Sequence, residues 1–338
     1  MKFLVIRFSS IGDIVLTTPV IRCLKQQVKD AEVHYLTKKK YSGIVRSNPF
    51  VDRIHELDDN WNALIENLKS ENFDFIIDLH HNLRTLRIKL RLGGVRSFAF
   101  DKLNIEKWLI VNLRINRLPK MHIVDRYLAT LAYFSVSNDG KGLDYFIPEK
   151  DLVPADHLPV SHYAGYVALV IGGALGTKKL PSPKLAELCA KIPYPIILLG
   201  GEEDRQDGEK LAGADSIRIY NACGKFNLNE SADILRQSKL VITHDTGLMH
   251  IAAAFHKPVL SIWGNTIPEF GMYPYYGNSV VPGRISEVKK LSCRPCSKIG
   301  YAVCPLGHFN CMEQQNIDKM VKSIKELLQK GWSGSGIS

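Results

Sequence analysis

The 338-residue chain has no apolar run approaching the roughly 20 residues that cross a bilayer. Its N-terminus, MKFLVIRFSSIGD, holds too short an apolar stretch for a signal peptide and is broken by Arg7. A first buried strand is the better reading, and a cytoplasmic protein is expected. No G-x-G-x-x-G fingerprint occurs, which speaks against a nicotinamide-dependent oxidoreductase, and no Walker A loop is present. Neither an RNA-module signature nor aromatic–basic interleaving appears, so nucleic acid is not the expected partner. Low-complexity segments and short tandem repeats are also missing.

What is present fits two globular domains. Hydrophobic residues make up 45% and charged residues 23%, and 338 residues suffice for two separate cores. Short β-rich runs alternate with helical stretches in both halves. The first half reads as strands Lys2–Phe8, Glu32–Leu36, Arg53–Leu57 and Phe75–Leu79, with helices over Ile14–Lys29 and near Trp61–Ser70. The second reads as strands Tyr166–Ile171, Ile196–Leu199, Ile217–Tyr220, Leu240–Thr243 and Val259–Ile262. Helices are expected near Pro183–Lys191, over Leu228–Gln237 and after Gly247. This alternation predicts an α/β fold with two doubly wound parallel sheets. The Pro- and polar-rich stretch Ile147–Tyr163 reads as the linker, giving domains 1–155 and 156–315 with a cleft between them. An amphipathic final helix over 316–330 is expected to pack back on the first domain.

The most informative stretch is LVITHDTGLMHIAAAFHKPVLSIWG, Leu240–Gly264. It reads as strand, polar turn, apolar helix and strand. Asp245 and Thr246 stand where the helix starts, Gly247 permits close backbone approach, and His250 lies on the first turn. The free N–H groups and dipole there suit an anion, although a plain helix cap explains the same residues. The loop Gly172–Pro181 (GGALGTKKLP) adds glycines, the Thr177 hydroxyl and the charges of Lys178 and Lys179, and also follows a strand of that sheet. Two such turns on one sheet edge read as a phosphate site better than either does alone. Glu203, past the strand Ile196–Leu199, is placed for ribose hydroxyls, and Phe226 for a base.

In the first domain, RFSSIGD brings Ser10, Gly12 and Asp13 to the carboxyl end of the first strand. A carboxylate there can serve as general base or merely as a helix cap. His80, in DLHHNLR, closes another strand and leads to Arg84 and Arg87. The net charge of +10 is concentrated here: 11 Lys/Arg against three acids from Arg84 to Arg126, a local excess of +8. Such a segment suits a phosphorylated or anionic-lipid partner, or forms a solvated helical face. Four of seven cysteines cluster as Cys293, Cys296, Cys304 and Cys311, with His308 inside. Structural zinc is one reading, but the second pair lacks zinc-knuckle spacing, and reduced cysteines packed in a loop are preferred.

Together these motifs resemble glycosyltransferase family 9, the ADP-heptose:lipopolysaccharide heptosyltransferases. The likeness runs over nearly the whole chain and rests on Arg7–Pro19, on TKKLP (Thr177–Pro181), and on DTGLMHIAAA (Asp245–Ala254) leading into Trp263-Gly264-Asn265-Thr266. It implies a GT-B fold and an inverting transfer of heptose from ADP-heptose to the lipopolysaccharide inner core (Kdo-lipid A or a heptosyl acceptor), with no cofactor or metal required. It also implies peripheral association with the cytoplasmic face of the inner membrane. Asp13 matches the family's base. Lys178 matches its diphosphate lysine, and Asp245, Thr246, Gly247 and His250 match its ADP loop, with Thr177, Glu203 and Phe226 completing the donor side. Ser10, Gly12, His80, Arg84 and Arg87 fall to the acceptor side. Leu180 stands where the family often has tryptophan, and Trp263-Gly264-Asn265-Thr266 where Phe/Tyr-Gly-Pro-Thr is usual. A non-catalytic lipid-saccharide binding module is the competing reading.

Overall fold

A computed structural model of the chain describes residues 1–331. They form two compact units, each built on one parallel sheet. The first unit takes in residues 1–104, 120–146 and 277–279. Its strands are β1 (Lys2–Ile6), β2 (Glu32–Lys38), β3 (Arg53–Leu57), β4 (Phe75–Asp78) and β5 (Arg96–Ala99), in the order β3-β2-β1-β4-β5. Phe3–Ile6 of β1 are fully buried, as a central strand covered on both faces requires. Helices α1 (Ile11–Val15), α2 (Thr18–Gln27), α3 (Trp61–Ser70) and α4 (Leu83–Arg91) connect the strands. Leu4, Ile6, Leu36, Ile76, Leu64, Leu68 and Ile88 share one core. Further along the chain come α5 (Asn104–Trp108), which from Ile105 on belongs to the second unit, and α6 (Ile123–Leu128) of the first.

The helix expected over Ile14–Lys29 is two helices. Thr17 and Thr18 turn their hydroxyls back to the carbonyls of Ile14 and Val15, and Pro19 opens α2, so the first turn cannot continue. Chain order reverses between β1 and β4, and ligands of such sheets bind outside the carboxyl ends at that point. Asp13, on α1, follows β1, and His80 follows β4.

The second unit takes in residues 105–119, 147–276 and 280–331. Its strands are β6 (Val167–Val170), β7 (Ile196–Leu199), β8 (Ile219–Asn221), β9 (Leu240–His244), β10 (Val259–Trp263) and β11 (Gly283–Glu287), in the order β11-β10-β9-β6-β7-β8. Its helices are α7 (Ser182–Lys191), α8 (Arg205–Gly213), α9 (Leu228–Gln237), α10 (Gly247–Ala254), α11 (Asn310–Glu313) and α12 (Ile317–Gly331). Order reverses between β6 and β9. The stretch expected as a linker belongs to this unit from Ile147 on, and the Val153 N–H donates to the buried Asp233 carboxylate at 2.8 Å. The final helix also belongs here and not to the first domain. Ile317, Met320, Val321, Ile324 and Leu327 of α12 share a core with Leu185 and Leu188 of α7 and with Leu260 of β10.

Candidate active site

In the second unit, the loops leaving β6 and β9 flank the point of strand reversal. The Lys178 ammonium lies 2.6 Å from the Asp245 carboxylate and 3.2 Å from the Asp245 carbonyl, joining the two loops. The same carboxylate oxygen accepts from the Thr266 hydroxyl at 2.9 Å, past the end of β10. Asp245 therefore orients neighbouring groups and does not cap α10. Thr246 occupies the cap position, but its side chain makes no cap bond to the first turn of α10. That leaves N–H donors and the positive end of the helix dipole at the sheet edge, beside Gly247. His250 is buried on the first turn.

The lysine loop is held from several sides. The Thr177 hydroxyl donates to the Tyr301 carbonyl at 3.0 Å and accepts from the Tyr301 N–H at 2.8 Å. Buried and doubly engaged, Thr177 anchors the loop instead of presenting a free hydroxyl. The Leu180 N–H donates to His244 Nε2 at 2.9 Å, and burial pushes the His244 imidazole down to about 4, keeping that acceptor neutral. Lys179 pairs with Asp204 at 2.5 Å. Asp204 is buried past β7 and accepts from the Gly201 N–H. A Cβ at Gly172 would lie 2.5 Å from the Asp204 carboxylate and 2.9 Å from the Gly200 Cα, so a side chain there would displace the loops after β6 and β7. Glu203 is exposed past the end of β7, and Phe226 is half-buried just before α9. Asn265 is 1% exposed, and neither of its amide atoms has a partner among the described residues.

In the first unit, Asp13 lies on α1 with one carboxylate oxygen 2.7 Å from Arg7. The other accepts from the Ser10 N–H at 3.0 Å and the Ser10 hydroxyl at 2.9 Å. Burial raises the Asp13 pKa, but the Arg7 charge and the Ser10 bonds outweigh it and hold the carboxyl below its ordinary value. Arg7 is buried and spreads its donors over the carbonyls of Ser9 and Leu79 and the Tyr127 hydroxyl. The oxygen that faces Arg7 accepts only from that guanidinium and keeps a lone pair, so an anionic acceptor of protons is available at neutral pH. Gly12 is buried in α1. His80 packs against Phe8 with ring centroids 4.8 Å apart, and burial together with the Arg7 and Lys102 charges lowers it to about 4. It is therefore neutral at pH 7.

The basic segment is divided between the two units. Lys107, Arg114 and Arg117 belong to the second unit and the others to the first. Lys89 is paired with buried Asp78 at 3.0 Å, Arg126 is buried, and Arg114 donates to the carbonyls of Val111, Ser292 and Pro295. Arg84, Arg87 and Arg91 of α4 stay exposed. Cys293, Cys296, Cys304 and Cys311 are free thiols. Among the described residues, the one group whose potential metal ligands converge is His34, His55 and Glu71. Its carboxylate is already paired with Lys2 and Arg53, which disfavours a further cation.

A family model described as glycosyltransferase family 9 (heptosyltransferase) matches residues 61–300. Lipopolysaccharide heptosyltransferase 1 of Campylobacter coli is 24% identical, over 96% of this chain and 99% of that protein. The solved glycosyl transferase family 9 structure from Veillonella parvula superposes with a TM-score of 0.76 at 20% identity, covering 97% of both chains. The E. coli heptosyltransferase WaaC, solved with ADP-2-deoxy-2-fluoro heptose, superposes with a TM-score of 0.69 at 19% identity, covering 96% of this chain and 99% of that one. The fold shared with these structures is GT-B, two parallel-sheet α/β domains.

Proposed function

The chain belongs to glycosyltransferase family 9, and from that premise we propose that it moves heptose from ADP-heptose onto the lipopolysaccharide inner core. The observation that carries the donor assignment is the uncapped start of α10 beside the Lys178–Asp245 pair. A diphosphate brings more negative charge than one carboxylate, so it competes for the Lys178 ammonium and takes the N–H donors of α10. Asp245, being anionic, orients Lys178 and Thr266 and does not itself touch phosphate. Glu203 and Phe226, past the strand ends of the same sheet, serve ribose and adenine.

The reaction is an inverting displacement. The acceptor hydroxyl attacks the anomeric carbon opposite the diphosphate, the new C–O bond forms as the sugar–phosphate bond breaks, and Asp13 takes the hydroxyl proton. Negative charge grows on departing ADP, where Lys178 and the α10 N-terminus stabilise it without a metal. Asp13 is held ionised by Arg7 and Ser10, which supports its role as base. Ser10, His80, Arg84 and Arg87 serve the phosphorylated acceptor, a Kdo-lipid A or heptosyl-core saccharide at the inner membrane surface. Incubation with ADP-heptose and Kdo-lipid A tests the reading: a heptosylated product and stoichiometric ADP support it, whereas binding with no turnover favours a saccharide-binding module.

A further inference from the structure

α4 buries one face and exposes an unusual one. Thr85 and Ile88 are buried, and Ile88 packs in the core of the first unit with partly buried Leu92 against it. On the solvent side Leu83 is 81% exposed, Leu86 46% and Leu90 72%. These leucines recur three and four residues apart and so form one stripe. Arg84, Arg87 and Arg91 repeat the same spacing one position later and flank the stripe along its length. The Arg84 guanidinium leans over the Phe8 ring at 5.9 Å. The N-cap Asn82 accepts from the N–H groups of Arg84 and Thr85, and Lys89 is tied to Asp78, so the helix is pinned from within.

We propose that the outer face of α4 seats the protein on an anionic phospholipid bilayer. Leucines entering the headgroup–acyl boundary with arginines at phosphate level match an interfacial amphipathic helix. A soluble sugar phosphate would use the arginines but has no surface for three leucines. This surface rests on the reading that the acceptor is lipid-linked: docking brings the enzyme to the plane where that acceptor lies.

The test is co-sedimentation with vesicles of phosphatidylethanolamine and phosphatidylglycerol containing no acceptor. Wild type binds these vesicles, binds phosphatidylcholine vesicles far more weakly, and loses binding as salt rises. Arg84→Gln/Arg87→Gln/Arg91→Gln weakens binding by roughly a hundredfold. Leu83→Ser/Leu90→Ser, which touches no core residue, weakens it by roughly tenfold or more while transfer to a deacylated, soluble acceptor is unchanged. Equal vesicle binding by wild type and the leucine variant overturns the proposal. So does a leucine variant that converts a dimer to monomer with vesicle binding intact, which marks the stripe as a contact between copies. Transfer to the soluble acceptor without vesicle binding sinks the surface and keeps the enzyme. Vesicle binding that needs the leucines, with no transfer to any acceptor, supports the surface and sinks the enzymatic reading.

Discussion

The Lys178 ammonium and the Asp245 carboxylate meet at 2.6 Å across the point where strand order reverses in the second sheet. Each comes from a different loop, so the pair fixes both loops and holds a cation at the start of α10. Charge-assisted hydrogen bonds contribute about 1.5–3 kcal/mol. Lys178→Ala is expected to weaken ADP binding by roughly ten- to a hundredfold in calorimetry. Unchanged affinity removes Lys178 from the donor site.

Asp13→Ala is expected to keep ADP binding and lose about 10²- to 10⁴-fold in transfer rate. Near-normal turnover in single-turnover assays refutes the base assignment.

Arg7 sets the pH range of that base. With its carboxyl held below the ordinary value, Asp13 loses its charge only at acid pH, and activity carries that limb down with it. In Arg7→Met, only the Ser10 bonds still oppose burial, and the limb moves to higher pH. Breaking a buried ion pair also costs about 3–5 kcal/mol of stability, so the profile is read at low temperature. An acid limb that stays in place contradicts the coupling.

His244 accepts from Leu180 N–H only when neutral, and its folded pKa is pushed down to about 4. The unfolded chain therefore binds the extra proton first, and stability falls as pH drops from about 6.5 toward 4, at up to about 1.4 kcal/mol per pH unit for one histidine. Urea titrations across that window should give a shallower slope for His244→Gln. An identical slope assigns the proton uptake elsewhere, with His55 and His80, also lowered to about 4, the next to test.

Gly264 is a packing position. A Cβ there would lie 2.8 Å from the Thr177 carbonyl and 2.7 Å from the Met312 methyl. Gly264→Ala is expected to cost about 1–3 kcal/mol and to weaken ADP binding by displacing the lysine loop. A fully stable variant with normal affinity shows that the loop does not lean on this turn.

Much of this was legible in the sequence because parallel strands are buried runs and their carboxyl ends carry the polar residues. β6, β7, β9 and β10 stood out in that way, and so did Lys178 and the DTG turn. The edge strands β5 and β11 were not recognised, since RSFA and GRISE are polar and half-exposed and lack a buried strand's apolar run. Arg7 was read as a break in an apolar segment. Its partners Leu79 and Tyr127 lie far along the chain, and no local spacing reveals them. Sequence places Asp245 in the donor loop with a helix cap as the alternative, but not its partners Lys178 and Thr266, which come from other loops. The basic segment reads as one patch because charge is counted along the chain, whereas folding divides it between two units and pairs or buries several of its members, Arg84, Arg87 and Arg91 of α4 being among those that stay exposed.

The most direct test of the account is mass spectrometry of Kdo-lipid A after incubation with ADP-heptose and the purified protein. The account predicts one added heptose per acceptor, an equal amount of ADP, and loss of both in Asp13→Ala. An acceptor left unmodified by protein that binds ADP-heptose would contradict it.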